Sequence, residues 1–344
     1  MEKSENLAII TNEKTFKNKD GFFCDNIDMK SIPEGLNNSF NVELFVRKSK
    51  KERLSHSINL KNISILNGII SYILDIIKKS KKYKKYLVIS ITPYTFLISL
   101  LLFTLKKEVH IYLRSDGYEE YKCYSRYLGP LTYHIMFSIL SWKAKFIACR
   151  RHILKSRKGL VVSPSQLNEK WFEDKKIESQ KEIKLLYVGR IRPEKGIVSL
   201  IKILKKVKLN YNLSIINPEK EFENNIESQN IKVLYFNKKH ESLIKIYDEH
   251  NIFVLPSFTE GHPQVLDEAL SRLIPTIVFS EISHVKRDRE GVFITERTPE
   301  ALSNKIKFII SEYKNIQEKI KTNKLPLKEN FLDDLTKIIQ NKTL

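Results

Sequence analysis

The chain has 344 residues, enough for two domains with separate cores, and its 42% hydrophobic and 29% charged content excludes a disordered or fibrous protein. The net charge of +20 is unevenly placed, with +15 in residues 1–165 and +5 in the remainder. Cys24, Cys123 and Cys149 show no metal spacing and cannot all pair; they read as reduced thiols in a cytosolic protein. The start, MEKSENLAIITN, carries acids and too short an apolar run for a signal peptide.

In chain order, Leu7 to Thr11 is a first strand and Asn12 to Gly21 a polar loop beyond its carboxyl end. Ile27 to Leu36 reads as helix, Val42 to Val46 as strand, and Ser64 to Ile77 has helical periodicity. The basic tract KKSKKYKKY follows at Lys78 to Tyr86. Tyr86 to Leu105 approaches the length of a membrane span, but it contains Pro93 and polar residues. It reads better as the strand Leu87 to Ile91, a loop and a buried helix, Tyr94 to Leu105. Then come the strand Val109 to Leu113, the polar turn RSDGYEEY, a helix around Leu131 to Ser141 and the strand Phe146 to Cys149.

Lys158 to Phe172 is placed as the hinge before a second domain. That domain contributes the strand Leu185 to Val188, the helix Gly196 to Val207, the strands Leu213 to Ile216 and Lys232 to Tyr235, and the helix Glu241 to Glu249. After the segment described next, a helix runs from Pro299 to Tyr313, and Lys324-Leu325-Pro326 interrupts the pattern before the last one. Strands alternating with helices imply an α/β chain with doubly wound parallel sheets.

The chain is organised around Asn251 to Val278, NIFVLPSFTEGHPQVLDEALSRLIPTIV. The apolar run Ile252 to Leu255 has the length of a buried parallel strand, Ser257 to Gly261 form a loop, and His262-Pro263 starts a helix. Thr276 to Phe279 is the next strand. The loop therefore lies at the carboxyl end of a strand, where open α/β sheets bind ligands. Glu260 and Glu268 stand eight positions apart, E-x7-E, so both can face one crevice. The first N–H groups of the helix, at Gln264, Val265 and Leu266, make a natural seat for phosphate. Glutamate accepts hydrogen bonds from sugar or ribose hydroxyls. Phosphate donors beside hydroxyl acceptors describe a nucleotide-sugar site; the alternative is a solvated loop glutamate plus a helix glutamate favoured by the dipole.

EG-x-P-x-V-x-x-EA followed by P-T-I-V resembles the donor-site motif of retaining GT-B glycosyltransferases, the family 4 group (glycosyl transferases group 1). LLYVGRIRPEKGI at Leu185 to Ile197 is similar to that family's G-R-x4-K-G segment. The resemblance is specific over roughly Ile183 to Glu300 and architectural before it. Where relatives carry glycine before the I-P-T-I-V run, this chain has Leu273.

The resemblance implies a GT-B fold, two Rossmann-like doubly wound domains facing a central cleft. Residues 1–165 would be an acceptor domain with the C-terminal helix, 327–344, crossing back onto it, and residues 166–326 the nucleotide-sugar donor domain. Arg190 and Lys195, after Gly189, would grip the donor diphosphate. Fixed cations there would stabilise the charge that grows as the glycosidic bond breaks. With no D-x-D pair, no metal and no cofactor is expected. Glu260 would contact the transferred sugar, with Gly261 allowing close backbone approach and His262 a further sugar contact. Glu268 would take the ribose hydroxyls. In the first domain Arg114 or Asp116 would stand beside the donor sugar, and Lys17 with Gly21 would meet acceptor in the first loop. The alternative for Arg114 is pairing with Glu119 or Glu120 beside a simple turn. Base and sugar selectivity would come from Asn217 to Asn225 and Asn237 to His240.

Lys78, Lys79, Lys81, Lys82, Lys84 and Lys85, interleaved with Tyr83 and Tyr86, suit an anionic membrane surface; no nucleic-acid motif is present. The resulting expectation is a hexosyltransferase-type enzyme, retaining and metal-independent. It would move sugar from an NDP-sugar to a glycan or lipid-linked acceptor in bacterial surface polysaccharide or lipopolysaccharide assembly. Its place would be cytoplasmic, peripheral on the inner face of the cytoplasmic membrane. The rival expectations are an NDP-sugar epimerase on the same fold and a non-catalytic membrane or polyanion-binding module.

Overall fold

The computed structural model describes residues 5–52, 56–173, 182–217, 228–235 and 243–342. They fall into two compact units, residues 1–164 with 328–344, and residues 165–327. The first unit contains strands β1 (Asn6–Asn18), β2 (Gly21–Cys24), β3 (Asn41–Lys48), β4 (His56–Ile58), β5 (Ile63–Leu66), β6 (Lys85–Ile89), β7 (Glu108–Leu113), β8 (Lys145–Ala148) and β9 (Gly159–Val161). Its helices are α1 (Asp28–Leu36), α2 (Ile69–Lys79), α3 (Pro93–Thr104), α4 (Gly117–Lys122) and α5 (Leu128–Leu140). The second unit contains strands β10 (Ile183–Val188), β11 (Tyr211–Asn217), β12 (Ile231–Tyr235), β13 (Ile252–Leu255), β14 (Thr276–Phe279) and β15 (Val292–Thr295). Helices α6 (Ile197–Leu204), α7 (Leu243–Asp248), α8 (Gln264–Ser271), α9 (Pro299–Ser311) and α10 (Tyr313–Ile320) belong with it, and α11 (Lys328–Ile339) returns to the first unit.

In the first unit the parallel order is β5-β3-β1-β6-β7-β8-β9. The pleat sends alternate side chains of β1 into different cores. Leu7 and Ile9 join a cluster with α1 and α11, whereas Ala8 and Ile10 join one with α2, α3 and α5. Helices thus cover both faces, as the doubly wound expectation requires. The second unit has the order β12-β11-β10-β13-β14-β15 with every pairing parallel. Its strand order reverses between β10 and β13, which makes their carboxyl ends the topological switch point.

Several expectations change. Asn12 to Gly21 is not a loop: β1 shifts register after Ile10, continues to Asn18 and turns antiparallel into β2, pairing Asn18 with Gly21. Asn-Lys-Asp-Gly is a two-residue hairpin, closed by the Asn18 side chain accepting from the Asp20 amide. Ser64 to Ile77 is not one helix. Gly68 stops it at a φ of 90°, the β-branched run before it pairs with β3, and α2 begins at Ile69. RSDGYEEY is not a bare turn, because Asp116 caps α4 by accepting from the Tyr118 amide. The segment placed as a hinge includes β9 and a 3₁₀ turn at Glu169–Phe172. Residues 218–225 and 237–240, read as selectivity loops, lie outside the described residues, as do 241–242 of the expected helix Glu241 to Glu249.

The basic tract changes most. Tyr83 and Tyr86 are buried, so neither faces an interface. The Tyr83 hydroxyl donates to Glu43, which also pairs with Lys79 at 2.7 Å and Lys82 at 3.5 Å. Burial pushes the Glu43 carboxyl up, but hydrogen bonds from Lys79, Tyr83 and Ser64 prevail and bring it down to about 2. Lys79 also pairs with Asp75, and Lys85 with Glu5, leaving Lys78, Lys81 and Lys84 exposed without such pairing among the described residues. No described helix is long and apolar enough to cross a membrane.

Candidate active site

Two loops meet at the switch point of the second unit. The first leaves β10 through Gly189, whose φ of 156° favours glycine and whose amide donates to the Ile216 carbonyl. The Tyr187 hydroxyl donates to the Arg190 carbonyl at 2.8 Å, and burial pushes that hydroxyl well above its ordinary pKa. A 3₁₀ turn at Pro193–Lys195 then delivers the chain to Gly196, at a φ of 67°. A Cβ at Gly196 would collide with the carbonyl oxygen of Pro256, so glycine is required for the two loops to touch.

The second loop leaves β13 at Pro256. Its Phe258 amide donates to the Glu194 carbonyl at 2.9 Å, tying it to the first loop. Lys195 Nζ lies 2.7 Å from Glu260 Oε1, and the Ser257 hydroxyl donates to the same oxygen at 2.7 Å. The Glu260 carbonyl is 2.8 Å from His284 Nε2. Arg297 donates to the Pro256 and Ser257 carbonyls, pairs with Glu281, and stacks between the rings of Phe258 and Phe279. Arg190 is exposed, and its guanidinium makes no hydrogen bond or ion pair with any described residue. One loop pair therefore offers an exposed guanidinium, a lysine and a carboxylate at the edge where α/β sheets take ligands.

Helix α8 starts at Gln264 with no side-chain cap. Of the three amides expected to seat phosphate, that of Leu266 is already spent on the Pro263 carbonyl at 3.1 Å, in a tight first turn. Glu268 accepts from the Tyr247 hydroxyl at 2.8 Å; burial, then Glu268 itself, pushes that hydroxyl well above its ordinary value and keeps it a donor. The His262 ring is 2% exposed, with Nε2 at 3.3 Å from Asp267 and Nδ1 at 3.0 Å from the Arg287 guanidinium. A guanidinium only donates, so Nδ1 accepts from Arg287. His262 braces the loop from behind and does not present a nitrogen to a sugar, as had been expected. Asp267, also 2% exposed, pairs with Arg289 at 2.6 Å. Gly261 lies between Glu260 and this braced ring.

The remaining candidates belong to the first unit. Arg114 donates to Asp28 and Glu13, at 3.2 and 3.4 Å, instead of to Glu119 or Glu120. Burial alone would lower its pKa, yet Asp28 and Glu13 raise it. Asp116 pairs with Lys155 at 2.7 Å while capping α4. Lys17 lies on β1, 5.2 Å from the centroid of the Phe22 ring, and Gly21 opens β2 at a φ of 135°. Among the described residues no group of three or more His, Cys, Asp or Glu could hold a metal. Sequence reasoning passed over Ser257, His284, Arg297, Tyr247 and Asp267. Only Asp267, as an acid inside an amphipathic helix, offered a local signal.

Residues 169–325 match the family model for glycosyl transferases group 1. The capsular polysaccharide biosynthesis glycosyltransferase CapM of Staphylococcus aureus is 28% identical over 297 residues, 77% of this chain and 78% of that one. In fold the chain is similar to sucrose-phosphate synthase from Thermosynechococcus elongatus, with a TM-score of 0.72, 16% identity and 98% of each chain covered. It is also similar to Anabaena HepE in complex with UDP, with a TM-score of 0.70, 10% identity, and 98% of this chain and 100% of that one covered. Residues 169–325 thus carry the likeness to glycosyl transferases group 1, and the chain has the GT-B fold of these structural neighbours.

Proposed function

We propose that the loops after β10 and β13 bind an NDP-sugar and that the enzyme transfers its sugar, with retention and without a metal, to a glycan or lipid-linked saccharide. The observation that carries this reading is the Lys195–Glu260 contact, a cation beside an acceptor-only carboxylate at the switch point. Arg190 and Lys195 would neutralise the nucleoside diphosphate as it departs, with the largest effect in the transition state. Glu260 would hold sugar hydroxyls, and Glu268, oriented by Tyr247, the ribose. In a retaining front-face transfer the donor phosphate would take the acceptor's proton, so no protein base is assigned. The complex of HepE with UDP supports a nucleotide donor, and the likeness to CapM supports capsular-type polysaccharide biosynthesis; the proposed place is the cytoplasmic side of the membrane.

The test is thermal stabilisation by UDP, GDP, ADP, CMP and their sugars with EDTA present. A ligand at 100 times its dissociation constant adds about 2.7 kcal/mol. One responder in EDTA, lost in Glu268→Ala, supports the reading. Silence across the panel, or a response only after a divalent metal is added, refutes the metal-independent donor site.

A further inference from the structure

We propose that the outer faces of α2, α3 and α5 form a docking surface for an anionic lipid bilayer. This deepens the lipid-linked acceptor reading and rests on it. Helix α5 has two apolar stripes. The inner one, with Tyr133 and Phe137, is buried in the core. The outer one runs through Leu131, Ile135 and Ile139 to Trp142, with Trp142 84% exposed. Helix α2 repeats the pattern: Tyr72 and Ile76 are buried, whereas Ile70 and Leu74 are 73% and 62% exposed. Helix α3 packs against both and adds exposed Leu97.

A helix facing water carries polar residues on its outer side. Three neighbouring helices that break this rule together form an apolar surface of the kind that marks an interaction site. Its border identifies the occupant. Each helix links parallel strands of one sheet, α2 from β5 across β3 and β1 to β6, so all three run against the strands and end on the same edge of the sheet. Exposed lysines stand at each of those ends: Lys78 in the last turn of α2 and Lys81 after it, Lys106 after α3, and Lys143 after α5. At the other end of α5 stand exposed Tyr124, Arg126 and Tyr127. An apolar centre bordered by cations and by tyrosine and tryptophan fits acyl chains beneath anionic headgroups. A second copy fits worse, because stacking two such faces would bring like-charged borders together. At 12 and 13 residues, α3 and α5 are too short to span a bilayer, so the surface lies on it. The lysine tract contributes its exposed members to this border, and the tyrosines within it contribute nothing.

The experiment is sedimentation of the full chain with vesicles of phosphatidylcholine, alone or mixed with phosphatidylglycerol, alongside tryptophan emission. Trp171 is buried, so a blue shift reports on Trp142. Binding to the mixed vesicles alone is expected, with the shift lost in Trp142→Phe. Leu131→Glu/Ile135→Glu should lower the bound fraction about tenfold or more. Nucleotide-induced thermal stabilisation, retained in that variant, shows that it is folded. No wild-type binding, equal binding by the variant, or a solution dimer that the variant splits would overturn the proposal. Donor response without vesicle binding removes only the docking surface; vesicle binding without any donor response removes the donor site instead.

Discussion

Lys195 Nζ sits 2.7 Å from Glu260 Oε1, joining the turn before α6 to the loop after β13. The lysine therefore has two tasks in the proposed reaction, to orient a carboxylate and to meet a diphosphate. Lys195→Ala should lower turnover by about 10²–10³-fold, the usual cost of removing one preorganised charge-stabilising group. Donor affinity should change less, because Ser257 still donates to Glu260. Steady-state kinetics beside calorimetric donor binding separates the two effects, and wild-type turnover would remove Lys195 from the reaction.

Tyr247 presents its hydroxyl to Glu268 from a fully buried position. Glu268→Ala should weaken nucleotide-sugar binding by about tenfold or more, the loss of a hydrogen bond to a charged group. Tyr247→Phe keeps the carboxylate but frees its rotamer, and should weaken binding by a smaller factor. Titration calorimetry of both variants checks the order; equal, unchanged affinities would mean that Glu268 does not touch the donor.

Gly196→Ala would place a methyl group against the Pro256 carbonyl at a left-handed φ. Both effects oppose folding, and a loss on the order of 3 kcal/mol is expected in urea unfolding. The two loops share this contact, so Lys195 and Glu260 should separate as well.

Helix α8 ends in a Schellman motif, with the Leu273 amide donating to Leu270 and that of Ile274 to Ala269. Leu273 occupies the left-handed position at a φ of 60°, where glycine is the common choice, and its side chain is buried. Leu273→Gly relieves about 1–2 kcal/mol of backbone strain. It also deletes a buried leucine, which costs about 2–5 kcal/mol. Net destabilisation of about 2 kcal/mol is expected; a gain in stability would show that the side chain packs poorly.

Acid should weaken the first unit in two stages. Burial pushes His110 down to about 4, so the unfolded chain takes up its proton first and stability falls between pH 6.5 and 4. Glu43 is held at about 2 in the fold against 4.5 in the free chain, so its contribution is complete above pH 4.5 and disappears as pH falls toward 2. Each stage amounts to on the order of 3 kcal/mol. Unfolding free energies across pH for His110→Gln and Glu43→Gln should each lose one stage.

Strands buried on both faces were legible because a short apolar run closed by a turn signal, such as Ile252 to Leu255 before Pro256, is too short for a helix and fits a strand covered on both sides. The same run gave its bounds, as did Thr276 to Phe279. Elements that depend on partners were not legible. β5 shares its apolar spacing with the helix after it, and only pairing with β3 makes it a strand. Lys195 and Glu260 could each be singled out, but their contact depends on the Gly196–Pro256 packing, which no spacing encodes. Tyr83 and Tyr86 misled because aromatic residues between lysines look alike whether they face lipid or core. Tyr83 is turned inward to Glu43, 40 positions earlier, and Tyr86 is buried as part of β6.

Helix α11 supplies Phe331, Leu335, Ile338 and Ile339 to the same core as Leu7 and Ile9. The first unit therefore stays incomplete during synthesis until α11 has left the ribosome, whereas the second can close before α11 emerges. The order of folding is then the reverse of the order of the sequence. Throughout translation the nascent first unit exposes an apolar cleft of its own, and α11 is the segment that seals it.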